Sequence, residues 1–473
     1  MRWSCPLALL TATFAAGSLS TAANAATLSL VGSSTTVCQL IGETIWDTGT
    51  PGGTPTAAKT LSNFGLAGVD LGFPVDSSPG PLYFLFGDGS LASGLPDHPP
   101  NSLPTEPPDD ALGHTSRTTP PDSATCLDLQ IATSAPNKFA HPKVTPRIQQ
   151  GSFNVPTGGV FFDNTFYAFF WTDHCLTPSA LTPNRGTPLR RPAPGACLET
   201  PQNSSIGRSV LAQATALNPL DFTWQPPPAG LLFTNMPSGF VYASAANPPP
   251  GVTPPNPLAS AIPVFGVPRY RASIPYLALA PRATFADPHT WLFFAGYEFG
   301  VPVWITRPTW ESRHNAAGEW MPPPGAEIFP AEPADERCVG EHSVTWNAPL
   351  RSWLLLYTCV PWVVEARFAP EPWGPWSTPI ILLSAVQDPG LNCTLIQRVG
   401  LTGCPGLALG QTLPPGSTVP WPGAFYAPFV MTRYTQDVTP PGPGQPKRAR
   451  IYWLLSTWNP YTIVVMQSTL ELQ

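Results

Sequence analysis

The sequence of 473 residues contains 16 Trp, 11 Tyr and 24 Phe, which is enough for a sizeable core and excludes a disordered chain in spite of 65 Pro and 39 Gly. Charged residues make up only 11% of the chain, and the many prolines would interrupt helices, so an all-α fold is excluded and a helix-rich α/β fold is disfavoured. The net charge of −6, with no basic cluster beyond 447–450, argues against nucleic acid and anionic membranes as partners.

Residues 1–25 have the features of a cleaved Sec signal peptide. Arg2 supplies a positive charge, an apolar stretch follows over 7–16, and Ala23-Asn24-Ala25 has the small residues of an A-x-A cleavage site. Later in the chain no apolar run reaches the roughly 18 residues needed to span a bilayer. We therefore expect 26–473 to be secreted to the extracellular medium or the periplasm, with no membrane partner and no obligate protein partner.

Five aromatic-rich apolar segments follow turn signals along the chain and are too short and too rich in β-forming residues for helices. They are 82–88, 166–171, 291–297, 353–359 and 452–458. The preceding turns contain Pro, Gly, Asp or Asn, so each segment is predicted to be the second strand of a hairpin.

Five copies of one hairpin predict an all-β fold, a five-bladed β-propeller whose small antiparallel sheets pack face to face around an axis. The spacing is irregular, which we attribute to Pro-rich loop insertions at 91–124, 176–202, 245–262, 315–335 and 435–449. A pair of β-sandwiches is the alternative. Since no stretch resembles an interdomain linker, we expect 26–473 to form a single domain.

Eight cysteines remain once Cys5 leaves with the signal peptide. An even number in an exported protein predicts up to four disulfides, and Cys175–Cys197 and Cys393–Cys404 are the favoured pairs because they close short loops. The cysteines show neither a CxxC motif nor the Cys/His spacing of a zinc site, so no metal is expected.

Two of the three aspartates in the segment 68–89 form a pattern typical of hydrolytic chemistry. If a hairpin turns near Pro79, then Asp70 and Asp88 are equally far from the turn and would face each other across two strands, with Cβ atoms about 4.5–5.5 Å apart. A one-residue bulge would change this register. Two carboxyls so close cannot easily both ionise, so one can act as nucleophile and the other as general acid, as in a retaining glycosidase. The alternative is that Asp88 starts a turn and Asp70 is solvated at a strand end.

The segments 68–72 (GVDLG) and 85–88 (LFGD) resemble the opening signature of a bacterial secreted family of domains of unknown function that includes the endo-D-arabinanases. Further similarity, in the same order, lies at 155–158, 206–209, 265–277 and 340–347. The resemblance implies a five-bladed propeller that cleaves the D-arabinan of mycobacterial cell walls, with Asp70 as nucleophile and Asp88 as acid/base. The family usually has Thr after the second Asp, where this chain has Gly89.

Seven further residues are candidates for contact with substrate: Glu341, His342, Arg269, Tyr270, Arg271, Thr157 and Trp346. Glu341 can bind sugar hydroxyls or assist the acid, unless it is a solvated residue at a strand end. The two arginines on either side of Tyr270 can bind a polyhydroxylated chain, or they can stack on that ring to order a loop. His342 and Trp346 can contact a sugar ring or can pack within the core.

These observations predict an exported glycoside hydrolase without a cofactor, whose partner is a furanosidic polysaccharide, D-arabinan first, cut internally with retention of configuration. Two alternatives remain. One is a carbohydrate-binding propeller without catalysis, which has no need of two adjacent carboxyls. The other is a related glycosidase that acts on a different furanoside, such as an L-arabinan or a fructan.

Overall fold

The computed structural model describes the chain over residues 26–45, 54–90, 109–136, 138–139, 143–145, 155–172, 208–215, 220–223, 236–316, 320–329, 337–360, 362–391, 394–396, 423–458 and 460–473. The predicted signal peptide and the four cysteines of the two favoured disulfides lie outside these residues.

The N-terminal part contains four short strands and a helix: β1 (Leu28–Leu30), β2 (Thr35–Gln39), β3 (Thr44–Ile45), β4 (Thr54–Pro55) and α1 (Thr60–Phe64). Strands β3 and β4 pair with each other, whereas β1 and β2 join a sheet formed by the C-terminal part of the chain.

The first blade is a four-stranded antiparallel sheet with the spatial order β5 (Gly68–Asp76), β6 (Leu82–Ser90), β7 (Asp109–Thr115) and β8 (Gln130–Ile131). Two short strands, β9 (Thr133–Ala135) and β10 (Lys138–Phe139), pair beside it. The second blade places β11 (Lys143–Thr145) at its outer edge, next to β15, and its other strands are β12 (Pro156–Phe162), β13 (Thr165–Thr172), β14 (Arg208–Thr215) and β15 (Asp221–Thr223).

The third blade has five strands, β16 (Tyr242–Ala245), β17 (Ala261–Val267), β18 (Tyr276–Pro281), β19 (Leu292–Glu298) and β20 (Val301–Thr306), followed by helix α2 (Arg307–Glu311). The fourth blade consists of β21 (His342–Asn347), β22 (Ser352–Val360), β23 (Val363–Ala369) and β24 (Ile380–Ser384). The fifth contains β25 (Ala424–Val430), β26 (Gln436–Asp437), β27 (Lys447–Trp458) and β28 (Thr462–Leu472).

These five sheets surround one axis, so the predicted five-bladed β-propeller is confirmed. The first strand of each blade lies against the first strands of both neighbouring blades, and β25 lies against β5, which closes the ring. Strand β1 pairs with β28 and thereby adds an N-terminal strand to the last blade. The two ends of the described chain are thus held in one sheet.

Local sequence explains the hairpins. Asp163 and Asn164 both adopt left-handed backbone conformations (φ 48° and 57°), which is the geometry of the two-residue turns that match strand twist. They join β12 to β13, as the turn signal predicts. All seven residues of β17 are buried, since both faces of a propeller sheet pack against neighbouring blades.

Four of the five predicted signature segments are the second main strand of a blade, namely β6, β13, β22 and β27. The segment 291–297 is different, because it forms β19, the fourth strand of its blade. Blade 3 has an additional hairpin, β18 to β19, with the same local pattern. A local signature therefore marks a hairpin but not its place within the blade.

Buried hydroxyls join neighbouring blades near the axis. Thr157 donates to the carbonyl of Ala243 at 2.8 Å and accepts from the amide of Ala243. Ser343 donates to the carbonyl of Pro428 at 3.0 Å and accepts from the amide of Val430. In each pair a side chain replaces the main-chain pairing that separate sheets cannot make.

Two disulfides lie within the described part of the chain. Cys38–Cys126 links β2 to the segment between β7 and β8, and Cys338–Cys359 links the approach to β21 with the end of β22. Disulfides of this kind are typical of proteins that fold in an oxidising compartment. None of the helices in the described ranges is long and apolar enough to span a membrane.

Candidate active site

The hairpin of β5 and β6 carries both predicted catalytic aspartates. From Asp76 opposite Leu82 to Phe73 opposite Leu85, its register is the one expected for a turn near Pro79. The register then shifts, because Leu71 (φ 62°) and Gly72 (φ 78°) are left-handed. The structure therefore places Gly87 opposite Asp70.

The predicted direct pairing of Asp70 with Asp88 is accordingly wrong by one residue, and the bulge is the physical reason. Asp88 is itself left-handed (φ 50°), a conformation that costs energy for a residue with a side chain. The ladder between β6 and β7 is also interrupted between Phe86 and Gly89. The backbone on both sides of the pair is thus irregular.

The two carboxyls nevertheless interact. Burial raises the pKa of Asp70 well above its usual range, and the negative charge of Asp88 raises it further. Burial also raises the pKa of Asp88, to about 6. The Oδ1 atom of each aspartate is buried and has no hydrogen-bond partner among the described residues. The pair therefore holds a proton more readily than ordinary carboxyls do.

Two tyrosines from the last blade reach this pair. Tyr426 of β25 donates a hydrogen bond from its hydroxyl to Oδ2 of Asp70 at 2.8 Å. Tyr461, in the turn between β27 and β28, donates to the main-chain carbonyl of Asp88 at 2.9 Å. Hydrogen bonding by both tyrosines acts to lower the pKa of Asp70, against the effect of its burial.

A third carboxylate lies next to the pair. Glu341 is 2% exposed and accepts hydrogen bonds from the Tyr270 hydroxyl and from Nη2 of Arg271, the latter at 3.1 Å to Oε1. Its negative charge also contributes to the raised pKa of Asp70. Arg271, from the loop between β17 and β18, is the cation that balances this buried charge.

His342 and Tyr242 lie next to each other, close to Glu341. Their rings are 5.7 Å apart, and the imidazole Nδ1–H donates to the carbonyl of Gly340 at 2.9 Å. Burial lowers the pKa of His342 to about 4, so the ring is neutral near pH 7. Its Nε2 is buried and has no hydrogen-bond partner within the described ranges.

The site residues converge on one end of the ring. Asp70, Tyr242, His342 and Tyr426 all lie near the first residues of their strands. One contact joins the fifth blade to the first, and another joins the third blade to the fourth. We call this side of the ring the N-terminal face. The turn around Pro79 lies at the opposite end of β5, which we call the C-terminal face.

Three predicted contact residues lie apart from this group. Thr157 is fully buried with its hydroxyl bound to Ala243, which leaves it no surface for a substrate. Arg269 is exposed, and its positive charge acts to lower the pKa of Tyr276. Trp346 lies farther along β21 and packs edge-on against its cross-strand neighbour Trp353 at 5.9 Å.

Two residues of the site were not expected from sequence, Tyr242 and Tyr461. The hydroxyl of a third tyrosine, Tyr426, is a hydrogen-bond donor to Asp70. No local pattern connects these tyrosines to the aspartates, and only the closure of the ring brings them together.

The arrangement is equipped for proton transfer and for attack by a carboxylate. Two interacting carboxyls each have a buried oxygen without a partner in the described ranges, and the hydroxyls of Tyr426 and Tyr461 are bound beside them. Across the described part of the chain, no group of three or more His, Cys, Asp or Glu side chains is arranged to hold a metal ion.

Comparison with solved structures gives matches of low similarity. A protein of Bacteroides ovatus, provisionally described as a hydrolase, is 9% identical over 86% of this chain and 87% of that one, with a TM-score of 0.44. An exo-β-1,3-galactanase from Phanerochaete chrysosporium is 11% identical over 91% and 64%, with a TM-score of 0.30. A sialidase of Trypanosoma rangeli is 9% identical over 93% and 59%, with a TM-score of 0.31.

Sequence comparison gives a more specific result. A search of curated proteins finds no match. A family model described as a domain of unknown function, DUF4185, matches residues 256–467, a segment that includes Arg271, Glu341, Tyr426 and Tyr461 but not the two aspartates. The predicted resemblance to a family of domains of unknown function is therefore confirmed, and over residues 256–467 this chain matches DUF4185.

Proposed function

We propose that the protein is an exported glycoside hydrolase that cleaves a furanosidic polysaccharide, D-arabinan first, by an internal cut with retention of configuration. The observation that carries the proposal is the interacting carboxyl pair Asp70 and Asp88 at the N-terminal face, whose Oδ1 atoms are both buried and have no hydrogen-bond partner among the residues that the structure describes. Arabinan as substrate and endo action rest on the resemblance of 68–72 and 85–88 to the family that includes the endo-D-arabinanases.

The raised pKa of the pair supports this chemistry. A pKa of about 6 leaves Asp88 partly protonated near neutrality, as a general acid requires. Asp70 receives the hydroxyl hydrogen of Tyr426, which favours its carboxylate form. Burial and the charge of Asp88 act in the opposite direction on the pKa of Asp70, so we assign Asp70 as nucleophile and Asp88 as acid/base on the resemblance of 68–72 and 85–88 to the family that includes the endo-D-arabinanases.

In the first step, the carboxylate of Asp70 attacks the anomeric carbon while Asp88 donates its proton to the glycosidic oxygen. The bond between that carbon and oxygen breaks, and the leaving sugar departs as an alcohol. In the second step, the Asp88 carboxylate takes a proton from water, whose oxygen attacks the anomeric carbon and releases Asp70. Both carboxyls return to their initial states.

Among the neighbouring residues, Arg271 binds the sugar in this scheme and the others support the site. Arg271 is partly exposed beside the pair and can donate to ring hydroxyls, whereas Glu341 and Tyr270 hold it in place. His342 is buried and neutral, and it supports Tyr242 without touching the sugar.

The test is hydrolysis of mycobacterial arabinogalactan by the protein comprising 26–473, with release of oligosaccharides followed by chromatography. We expect release by the wild type and loss in both Asp70→Asn and Asp88→Asn, with Asp76→Asn as the matched control from the same strand. NMR of the first product should show the configuration of the substrate. Release that survives both substitutions would overturn the catalytic assignment, and binding without release would favour the carbohydrate-binding alternative.

Export is part of the proposal and has its own test. Expression of the full chain in a bacterial host with a Sec pathway should give a mature protein that begins at residue 26. A first residue of Met1 in protein recovered from the medium or periplasm would contradict it.

A further inference from the structure

We propose that Tyr426 is a positioning residue for Asp70, and that Arg271, anchored by Glu341 and Tyr270, fixes Tyr426 in this role. The inference rests on the proposed function only in naming Asp70 as the nucleophile. The contacts themselves connect the third, fourth, fifth and first blades through four consecutive interactions.

The anchor of this chain of contacts is Glu341. Its carboxylate accepts the hydroxyl of Tyr270 and both Nε and Nη2 of Arg271, with the three arginine contacts between 3.1 and 3.4 Å. A guanidinium that contacts both oxygens of a carboxylate has a fixed orientation. The buried charge is therefore paired, and the position of Arg271 is determined by it.

The backbone also holds Arg271 in place. Arg271 adopts a left-handed conformation (φ 53°), which directs its side chain back across Gly340. A Cβ atom at Gly340 would lie 2.6 Å from Cγ of Arg271, so only glycine allows this approach. The side chain thus lies in a slot that one methyl group would close.

The guanidinium then contacts two aromatic rings. Its central carbon lies 4.7 Å from the ring centre of Tyr270 and 5.5 Å from that of Tyr426. A cation over a phenol ring is attracted to its face, and it also makes the hydroxyl a stronger donor. Arg271 therefore restrains the orientation of Tyr426 and strengthens the hydrogen bond that this residue donates.

The hydroxyl of Tyr426 completes the chain of contacts at Oδ2 of Asp70, at 2.8 Å. This bond engages one carboxylate oxygen and leaves Oδ1 without a partner among the described residues. The two oxygens are therefore not equivalent: Oδ2 is held by Tyr426, and Oδ1 is buried. Tyr426 thereby fixes the orientation of the carboxylate without touching the reacting carbon.

Several other ionisable groups face Asp70 and enter any titration of it. They are Asp88 from β6, Glu341 at the start of β21, Tyr461 from the turn after β27, Tyr242 from β16, and Tyr270 and Arg271 from the loop after β17.

The experiment is carbon-13 NMR titration of the protein labelled at aspartate carboxyls, with the Asp70 signal identified by its loss in Asp70→Asn. Tyr426→Phe removes the donor and should raise the pKa of Asp70 by about one to two pH units. Arg271→Lys keeps the positive charge but loses the planar contact, so it should raise the pKa of Asp70 by a smaller amount.

Tyr434→Phe is the matched control, because Tyr434 is also buried and donates from its hydroxyl, in this case to the carbonyl of Arg117 at 3.0 Å. This control should leave the Asp70 titration unchanged. An unchanged titration in Tyr426→Phe, or an equal shift in Tyr434→Phe, would overturn the inference.

The pH profile of hydrolysis separates this inference from the proposed function. If the wild type cleaves arabinan, the acid limb of kcat/KM should move to higher pH in Tyr426→Phe by the same amount as the NMR pKa, with KM nearly unchanged. If no variant cleaves any glycan but the NMR shift is present, the positioning role stands and the proposed function fails. If the wild type cleaves and neither the limb nor the titration moves, the positioning role fails and the function stands.

Discussion

Strand β5 carries an aspartate near each of its ends, and the two differ in the charges that surround them. At the C-terminal face, Asp76 is paired with Arg433 and accepts hydrogen bonds from the amide of Ser78 at 2.9 Å and from its hydroxyl at 2.6 Å. At the N-terminal face, Asp70 has no ion pair with a cation among the described residues, and another carboxyl raises its pKa. The charge of Asp76 is balanced by a cation, whereas the carboxyl of Asp70 lies next to another carboxyl.

The surroundings of Asp76 account for a structural role. Arg433 also donates to Ser78 and to the carbonyl of Gly80, so this one guanidinium closes the turn between β5 and β6. Native proteins satisfy nearly all buried polar groups. In this cluster the carboxylate of Asp76 is satisfied, whereas Nε of Arg433 has no hydrogen-bond partner among the described residues.

The surroundings of Asp70 break that rule. Stability is lowered by the carboxylate oxygens that have no partner in the described part of the chain, by left-handed Leu71 and Asp88, and by the shifted register. The hydroxyls of Tyr426 and Tyr461 offset this in part. Such features persist where a ligand uses them. The contrast between the two ends is therefore the physical argument for placing function at the N-terminal face.

The largest expected effect separates the two aspartates. Asp70→Asn and Asp88→Asn should each lower hydrolysis by at least about 10²–10⁴-fold, since each removes one of the two reacting carboxyls. Neither should lower the melting temperature, because each replaces a buried group whose charge is unfavourable. Asp76→Asn should do the opposite, with activity retained and about 1.5–3 kcal/mol of stability lost with the charged contacts to Arg433.

Activity assays and urea unfolding of the three variants check this dissociation. If Asp70→Asn is destabilised as much as Asp76→Asn, then the two ends are alike and the contrast carries no functional meaning.

A second test concerns the ion pair between Arg271 and Glu341 within the site. Glu341→Gln leaves Arg271 without its counter-charge, which should cost about 3 kcal/mol in the free energy of unfolding. The matched control is Glu327→Gln, which removes the partner of Arg337 in an exposed ion pair and should cost about 0–1 kcal/mol. Denaturant unfolding measures both. Equal losses would show that burial of Glu341 has no energetic consequence.

The third test uses pH. The pKa of Asp88 is raised to about 6, so its contribution to stability is complete below about pH 4 and is lost as the pH rises through 6. The pKa of His342 is lowered to about 4, so its contribution is present above about pH 6.5 and is lost as the pH falls through 4. A pKa that differs by about two between the folded and unfolded chains corresponds to roughly 3 kcal/mol for each group.

Between pH 4 and 6.5 the contributions of Asp88 and His342 to the unfolding free energy change in opposite directions and partly cancel. Variants that lack one of the two groups separate them. The difference in unfolding free energy between the wild type and Asp88→Asn should increase as the pH falls across this range. The difference between the wild type and His342→Gln should decrease across the same range. Slopes of equal sign in a pH series of urea melts would contradict the burial assigned to one of the two groups.

The sequence predicted the fold and part of the site, and the limits have physical causes. Turn chemistry at 77–80 and 163–164 located two hairpins, because short-range backbone preferences determine such turns. The same reasoning placed Asp70 and Asp88 on one hairpin but missed the bulge at 71–72, for which Gly72 was the only visible signal. Bulges depend on what packs against a strand, and a single sequence does not show that.

The tyrosines show a stricter limit. Tyr426 and Tyr461 lie 356 and 373 residues from the aspartates whose atoms they contact. Nothing in their local patterns distinguishes them from other buried tyrosines. Only the closure of the ring between the last blade and the first determines these contacts. Residues of one hairpin could thus be predicted together, whereas residues joined by ring closure could not.

The smallest expected effect tests whether Thr157 belongs to the fold or to the site. Its hydroxyl both donates to and accepts from the backbone of Ala243, so Thr157→Val should cost about 1–2 kcal/mol of stability while the volume of the side chain is kept. Ser343→Ala breaks the corresponding contact between the fourth and fifth blades and is the matched comparison. If both hydroxyls only join blades, KM for arabinan stays unchanged in both variants. A raised KM in Thr157→Val alone would show that Thr157 contributes to substrate binding, although its side chain is fully buried in this structure.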